Sequence, residues 1–476
     1  MKKSLLFGFL FTLCIFSTAK AQFEGGDGTQ GDPFQISTPD QLNAVRNYLP
    51  AQYNFILLND IDLTDTDYDP WTPIGTFLGV FDGDGYVISG INVNSTANYA
   101  GFFSVVGGTV KNLGVRGSVT STVLSVGLLA GYLGQTVPSL IENCFADGDI
   151  TTTVSSTNNG YIGLIVGNLS KKDAVVRNCY SKGSVTNTAS CYSGGICGRV
   201  TVAGGTVENC YSEAVISGYD YAGGIAGQVI SGGNVSDCYA IAKISGNNYV
   251  GGITGQAAGT VSNCYATGII SGRASVGGVA GNVLTGGGTL SNAVAANPSV
   301  TASGTNFGRV VGSVSGTINN VYGLESTLVN GSAIVGDGSA TGKDGETKTL
   351  EELQEACFYI VDMEWDFTNV WAMPSSPGLP IFKRDYPGGF PIECGGTTTS
   401  SRLQLSGKSQ IFCENNTLNV LGLEWNSRVR IYNATGSLVN DNRSTGGLQV
   451  NLPAKGIYFI EITHGESRDI IKIVNK

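Results

Sequence analysis

The sequence predicts an all-β protein: a parallel β-solenoid (β-helix) followed by a small C-terminal β-sandwich. Three observations lead there. Glycine fills 69 of 476 positions while only 13% of residues are charged, a composition suited to many tight turns and few ionic sites. A short unit recurs along the middle of the chain. Within each unit, apolar and small residues alternate with period two, the mark of a strand with one buried face. Collagen is excluded because the glycines do not fall at every third position, and disorder because 41% of residues are hydrophobic.

The N-terminus reads as a secretory leader over residues 1–21. Lys2 and Lys3 precede the apolar run Leu5 to Phe16, and Ala19-Lys20-Ala21 forms a small-x-small cleavage site before Gln22. No later stretch is long and apolar enough to span a bilayer. The net charge is −10, and loss of the leader lysines makes it more negative. With no basic run to neutralise phosphates, nucleic acid is excluded as a partner.

Asn-Cys-aromatic recurs at Asn143-Cys144-Phe145, Asn178-Cys179-Tyr180, Asn209-Cys210-Tyr211 and Asn263-Cys264-Tyr265, with Asp237-Cys238-Tyr239 as a near match. Between these stand Gly194-Gly195-Ile196-Cys197-Gly198 and its counterparts beginning at Gly223, Gly251 and Gly277. From each cysteine every second residue is small and then aliphatic, as in Cys210, Ser212, Ala214, Ile216. Three residues before each cysteine stands another aliphatic (Ile141, Val176, Val207, Val235, Val261). That odd offset requires the strand phase to slip, and the residue at the slip is Asn or Asp, which tolerates left-handed backbone. A corner is expected there. Units of 26–35 residues with short strands and corners are coils of a solenoid.

These residues resemble the GLUG repeat of secreted and adhesin-like bacterial proteins over about 100–325. Pro33 to Leu42, Asn59 to Leu63 and Phe81 to Tyr86 resemble the opening of such proteins. The resemblance implies an exported β-solenoid and no particular chemistry. The expected organisation is an N-terminal cap and first coils over 22–98, with a short capping helix after Thr38, and then GLUG-type coils over 99–325. A C-terminal capping segment over 326–394 follows, in which Trp365 to Trp371 closes the stack, and then a Gly/Thr/Ser linker over 395–404.

Residues 405–476 carry short predicted strands at Thr417 to Leu421, Arg428 to Tyr432, Leu448 to Val450, Gly456 to Ile462 and Asp469 to Val474. Val429 to Gly436 and Leu452 to Tyr458 resemble the C-terminal sorting domain of the type IX secretion system of Bacteroidetes-type bacteria. The resemblance implies that the secretion machinery is a partner and that the mature chain is secreted or held on the outer cell surface.

The five repeat cysteines face inward and read as free core thiols, as does Cys197. Cys394 and Cys413 are candidates to pair with each other, and Cys191 and Cys357 have no evident partner. The single histidine, His464, lies in the C-terminal segment, so no Ser-His-Asp or Cys-His arrangement is available within the solenoid. No metal site, cofactor or catalytic residue is expected. Asp60, Asp62, Asp65, Asp67 and Asp69 read as a solvated loop, with calcium as the alternative.

Two aromatic columns stand out. Phe145, Tyr180, Tyr211, Tyr239 and Tyr265 follow the inward cysteines and are expected to point outward. Tyr99, Tyr161, Tyr192, Tyr221 and Tyr249 precede the glycine motifs. Tyr180, Tyr211, Tyr239 and Tyr265 are the candidate ligand-binding residues for a glycan or a protein; mutual stacking that shields the backbone is the competing reading. The favoured function is a non-enzymatic binding or adhesion surface. A polysaccharide-active enzyme on the same scaffold and a structural spacer are the alternatives.

Overall fold

The computed structural model describes residues 22–134, 138–153, 160–201, 204–334, 336, 338–374, 377–385, 403–404, 410–414, 417–464 and 467–475. The expected leader, residues 395–402 of the expected linker and Cys394 lie outside them. The chain divides into two units, Met1–Leu350 and Glu351–Lys476, so the boundary falls inside the 326–394 segment expected as a cap.

The first unit is a parallel β-solenoid. One coil shows how the sequence makes it. Leu140–Glu142 is a short strand; Asn143 turns the chain with φ 53°; Phe145–Thr152 continues on the other side of that corner. Gly160–Gly163 follows, Leu164 and Ile165 turn, and Val166–Leu169 completes the coil. The next coil opens at Val175, in register with Leu140. Stacked coils give three sheets, of 24, nine and eight strands among the described residues, parallel throughout except where Leu328–Val329 pairs antiparallel with Ser332–Ala333. The largest holds the strands on both sides of the Asn corner.

The predicted phase slip is a left-handed residue in every one of these coils: Asn112, Asn143, Asn178, Asn209, Asp237, Asn263, Asn292 and Asn320 have φ between 50° and 56°. Asn pays less for this conformation than other side-chain-bearing residues. Its amide also continues from coil to coil: Asn320 donates to Asn292 at 2.8 Å, Asn292 to Asn263 at 3.2 Å, and Asn143 to Asn112 at 3.0 Å.

The corner explains the cysteine beside it. Cys210, Cys238 and Cys264 are fully buried, as are Ser212, Ala214 and Ile216. Each thiol donates to the carbonyl two residues back, Cys210 to Glu208 and Cys238 to Ser236 at 3.1 Å, and Cys264 to Ser262 at 3.0 Å. A small hydrophobe with a weak donor fills the corner and satisfies a carbonyl there. The seven cysteines from Cys144 to Cys264 are free.

The Gly-Gly-Ile-x-Gly motif makes the turn between the eight- and nine-stranded sheets. Gly251 ends Asn248–Gly251, Ile253 points into the core, and Thr254–Ala257 begins. A Cβ on Gly252 would fall on the carbonyl of Gly278 in the next coil, so close stacking, not backbone freedom, demands glycine here. Burying each Val or Ile contributes about 1.5–3 kcal/mol, against about 1–2 kcal/mol per residue for ordering backbone. A coil therefore holds only against its neighbours.

Both ends of the stack are covered within the first unit. At the N-terminal end the helix Pro39–Ala44 is capped by Thr38 in a capping box with Gln41, and Leu42 is buried with Phe55, Phe77 and Phe81. At the far end Val310 and Val311 donate to the carbonyl of Lys343, so the 340–345 loop takes the place of another coil. Arg309, fully buried, donates Nε to the carbonyl of Asp344 at 2.7 Å and Nη2 to that of Gly345 at 2.9 Å. This cap was not legible in the sequence.

In the second unit Tyr359, Trp365, Trp371 and Phe382 form an aromatic cluster, with Trp365 and Trp371 stacked at 4.6 Å. Cys357 is disulfide-bonded, where the sequence offered no partner. Six strands of one antiparallel sheet follow among the described residues. The two strands expected at Thr417 to Leu421 and Arg428 to Tyr432 are one, Thr417–Asn433, because irregularities at Leu421/Leu423 and Leu423/Ser427 bend it without ending its pairing to Leu438–Asn451. Leu418 and Val420 from its first half join Val429 and Ile431 from its second in one core with Ile460 and Ile473.

Candidate functional site

The two tyrosine columns are real ladders, and their surroundings differ. In the first, Phe145, Tyr180, Tyr211, Tyr239 and Tyr265 stack with centroids 4.9–5.1 Å apart and ring planes within 2–12°. Tyr180 and Tyr211 are half-buried; Tyr239 and Tyr265 are buried, at 5% and 3% exposure. Ring faces that stack this closely are used on one another. Cations cover the near end: Arg116 lies over Phe145 and Lys182 over Tyr180, and they pair with Asp147 and Glu213. The faces of the four candidate ligand-binding tyrosines are therefore occupied within the protein.

The second ladder comes from the second residues of four strands of the eight-stranded sheet. Tyr161 and Tyr192 stack at 5.7 Å, Tyr192 and Tyr221 at 4.5 Å, and Tyr221 and Tyr249 at 4.8 Å. Ser125, in register with both Tyr99 and Tyr161, separates Tyr99 from the rest. Tyr221 and Tyr249 have φ of 50° and 57°, an unusual conformation for a bulky residue. Burial, and then neighbouring Tyr192 and Tyr249, push the Tyr221 phenol up to about 12, so it stays neutral.

Beside this ladder runs a polar row that the sequence reading missed. In seven strands of the nine-stranded sheet among the described residues the third residue is, in register, Tyr132, Asn168, Arg199, Gln228, Gln256, Asn282 and Ser313. Asn168, Gln228, Gln256 and Asn282 are only 8–9% exposed. Arg199 donates Nη1 to the Tyr161 hydroxyl at 2.8 Å and lies over both Tyr161 and Tyr192. Gln228 donates to Gln256 at 2.6 Å. Asn168 Oδ1, Arg199 Nε, Gln228 Oε1 and Asn282 Oδ1 have no hydrogen-bond partner among the described residues. The signal was available: a glycine precedes each (Gly167, Gly198, Gly227, Gly255, Gly281), but polar residues inside short strands read as turn.

The acids of the coils serve structural pairs. Arg177 bonds Glu142 at 2.7 Å, and Lys111 bonds Asp82 at 2.9 Å. Asp60 accepts from Val87 N and Asp62 from Thr64 N, while Asp69 accepts from Asn92, so these members of the acidic run hold backbone and loop. Among the described residues no cluster of His, Cys, Asp or Glu has the geometry to hold a metal.

With this geometry established, comparison with known proteins bears on the repeat. Residues 123–151 and 246–271 match the GLUG motif. The chain carries GLUG repeats. The chain is similar to a putative Gly-rich membrane protein of Evansella cellulosilytica, 41% identical over 131 residues, covering 25% of this chain and 15% of that protein. It is also similar to halomucin of Haloquadratum walsbyi, 29% identical over 156 residues, covering 28% of this chain and 2% of that protein. The chain thus spans a small part of both relatives' length. Among solved structures, a putative immunoglobulin A1 protease from Bacteroides ovatus matches with 24% identity and a TM-score of 0.46, covering 76% of this chain and 95% of that one.

Proposed function

We propose that this chain is an exported, surface-associated repeat protein whose β-solenoid serves as a non-enzymatic binding or adhesion surface for glycans or proteins. The observation that carries the reading is repetition: on four successive coils Tyr161, Tyr192, Tyr221 and Tyr249 stack beside the polar side chains of Asn168, Arg199, Gln228 and Gln256. Such repetition gives an elongated ligand several equivalent contacts and multiplies weak ones. The GLUG motif and relatives named as a membrane protein and a halomucin support a surface location. Residues 405–476, by resemblance, are the address read by type IX secretion machinery. Screening the purified protein on arrays of glycans and of surface proteins tests the reading. Retention of one class without turnover supports it; release of product assigns an enzyme instead, and silence on both arrays leaves a spacer.

A further inference from the structure

The polar row beside Tyr161, Tyr192, Tyr221 and Tyr249 is costly, and the fold does not need it. Most strands of the nine-stranded sheet begin and end with buried apolar residues, such as Val166 and Leu169 or Ala226 and Val229. An apolar third residue would fill the same space without desolvating an amide. The chain instead places Asn, Arg, Gln, Gln and Asn there on consecutive coils, and four of their polar atoms go without a partner among the described residues. Tyr221 and Tyr249 hold left-handed backbone beside them. Bulky residues in that conformation cost free energy and concentrate at functional sites.

We propose that this strip is a binding site for an uncharged polysaccharide laid along the stacking axis. The proposal rests on the reading of the solenoid as a binding surface. Amides and phenols both donate and accept, as sugar hydroxyls do, and they recur at the coil spacing of about 4.8 Å. A polyanion fits poorly. The strip holds one cation, Arg199, already engaged with Tyr161, on a chain of net charge −10. An extended peptide fits no better, because the backbone of these strands pairs on both sides with neighbouring coils, leaving no sheet edge to extend. The unpartnered atoms are buried, so binding through them requires the tyrosine rings to shift.

The test is affinity electrophoresis of the purified protein through gels containing mannan, hydroxyethyl cellulose or polygalacturonate. Retardation by a neutral polysaccharide and not by polygalacturonate is expected. The double variant Q228L/Q256L removes both partners of the Gln228–Gln256 bond, together with the Gln228 bond to the Tyr192 hydroxyl, which lowers stability only slightly, and should weaken retardation by about tenfold. If that variant melts far below the parent, Y221F/Y249F, which keeps the rings and removes two hydroxyls, decides in its place. Retardation by polygalacturonate alone overturns the proposal. Undiminished retardation of whichever variant decides overturns the strip as the site and leaves the wider binding reading standing. No retardation in any gel overturns the proposal, and the wider reading is then judged by the protein arms of the arrays.

Discussion

The side-chain amide of Asn263 donates to Asp237 Oδ1 across 3.1 Å, and both residues stand in left-handed backbone. The corner residue, Asn or Asp, thus supplies both the corner's conformation and its link to the next coil. Asn263→Ala should lose both, at about 1–2 kcal/mol, whereas Asn263→Gly keeps the conformation and should lose less. Urea midpoints of the two variants check this; equal losses would mean that the conformation contributes nothing.

Thiols give the second prediction. Burial pushes the Cys179 thiol up and that of Cys197 up to about 12, so neither ionises near neutral pH. Cys144, Cys179, Cys191, Cys197, Cys210, Cys238 and Cys264 should resist a thiol reagent in the native protein and react once it is denatured. Cys210→Ala should cost about 1 kcal/mol, since a buried sulfur is removed and the carbonyl of Glu208 keeps only Asn178 N as donor. Full reaction of the native protein would contradict the inward column.

Arg309 caps the C-terminal end of the stack through the carbonyls of Asp344 and Gly345. Arg309→Met should leave those buried carbonyls without their donor and cost at least about 3 kcal/mol. Hydrogen exchange should quicken first in the 340–345 loop, which distinguishes a lost cap from general unfolding.

Acid should weaken the N-terminal coils through Asp82. Burial opposes ionisation, but bonds from Lys111, Asp84 N and Asn112 outweigh it and hold the Asp82 carboxyl below its usual range. A folded-state value below the unfolded one stabilises the fold fully above about pH 4, and that stability is lost as pH falls through the folded value. The melting temperature should therefore drop on acidification, and less steeply in D82N.

Export should depend on the C-terminal segment. Removing 402–476 should leave the protein inside the outer membrane, and fusing the segment to a passenger should carry it outside. Cell fractionation reads both; a truncated protein still at the surface would refute the sorting role.

Much of the coil was legible because alternation is a local property. From Cys210 to Ile216 the strand phase follows from which residues are small, and the three-residue offset of Val207 implies a corner at Asn209, found at φ 53°. The capping helix after Thr38 was likewise written locally, in Thr38 and Gln41. Alternation alone, however, says only that Tyr239 faces away from the cysteine beside it. Whether its ring meets ligand or protein depends on Tyr211 and Tyr265, one coil away on either side, and stacking leaves it 5% exposed. The row from Asn168 to Asn282 acquires meaning only beside Tyr161 and Tyr192, which belong to another sheet. Arg309 likewise finds its acceptors 35 and 36 residues onward. The sequence by itself determined the coil, its corner and its interior, because backbone geometry and side-chain alternation act between near neighbours. Only the tertiary structure decided which outward groups are already satisfied, because their partners are brought together by stacking.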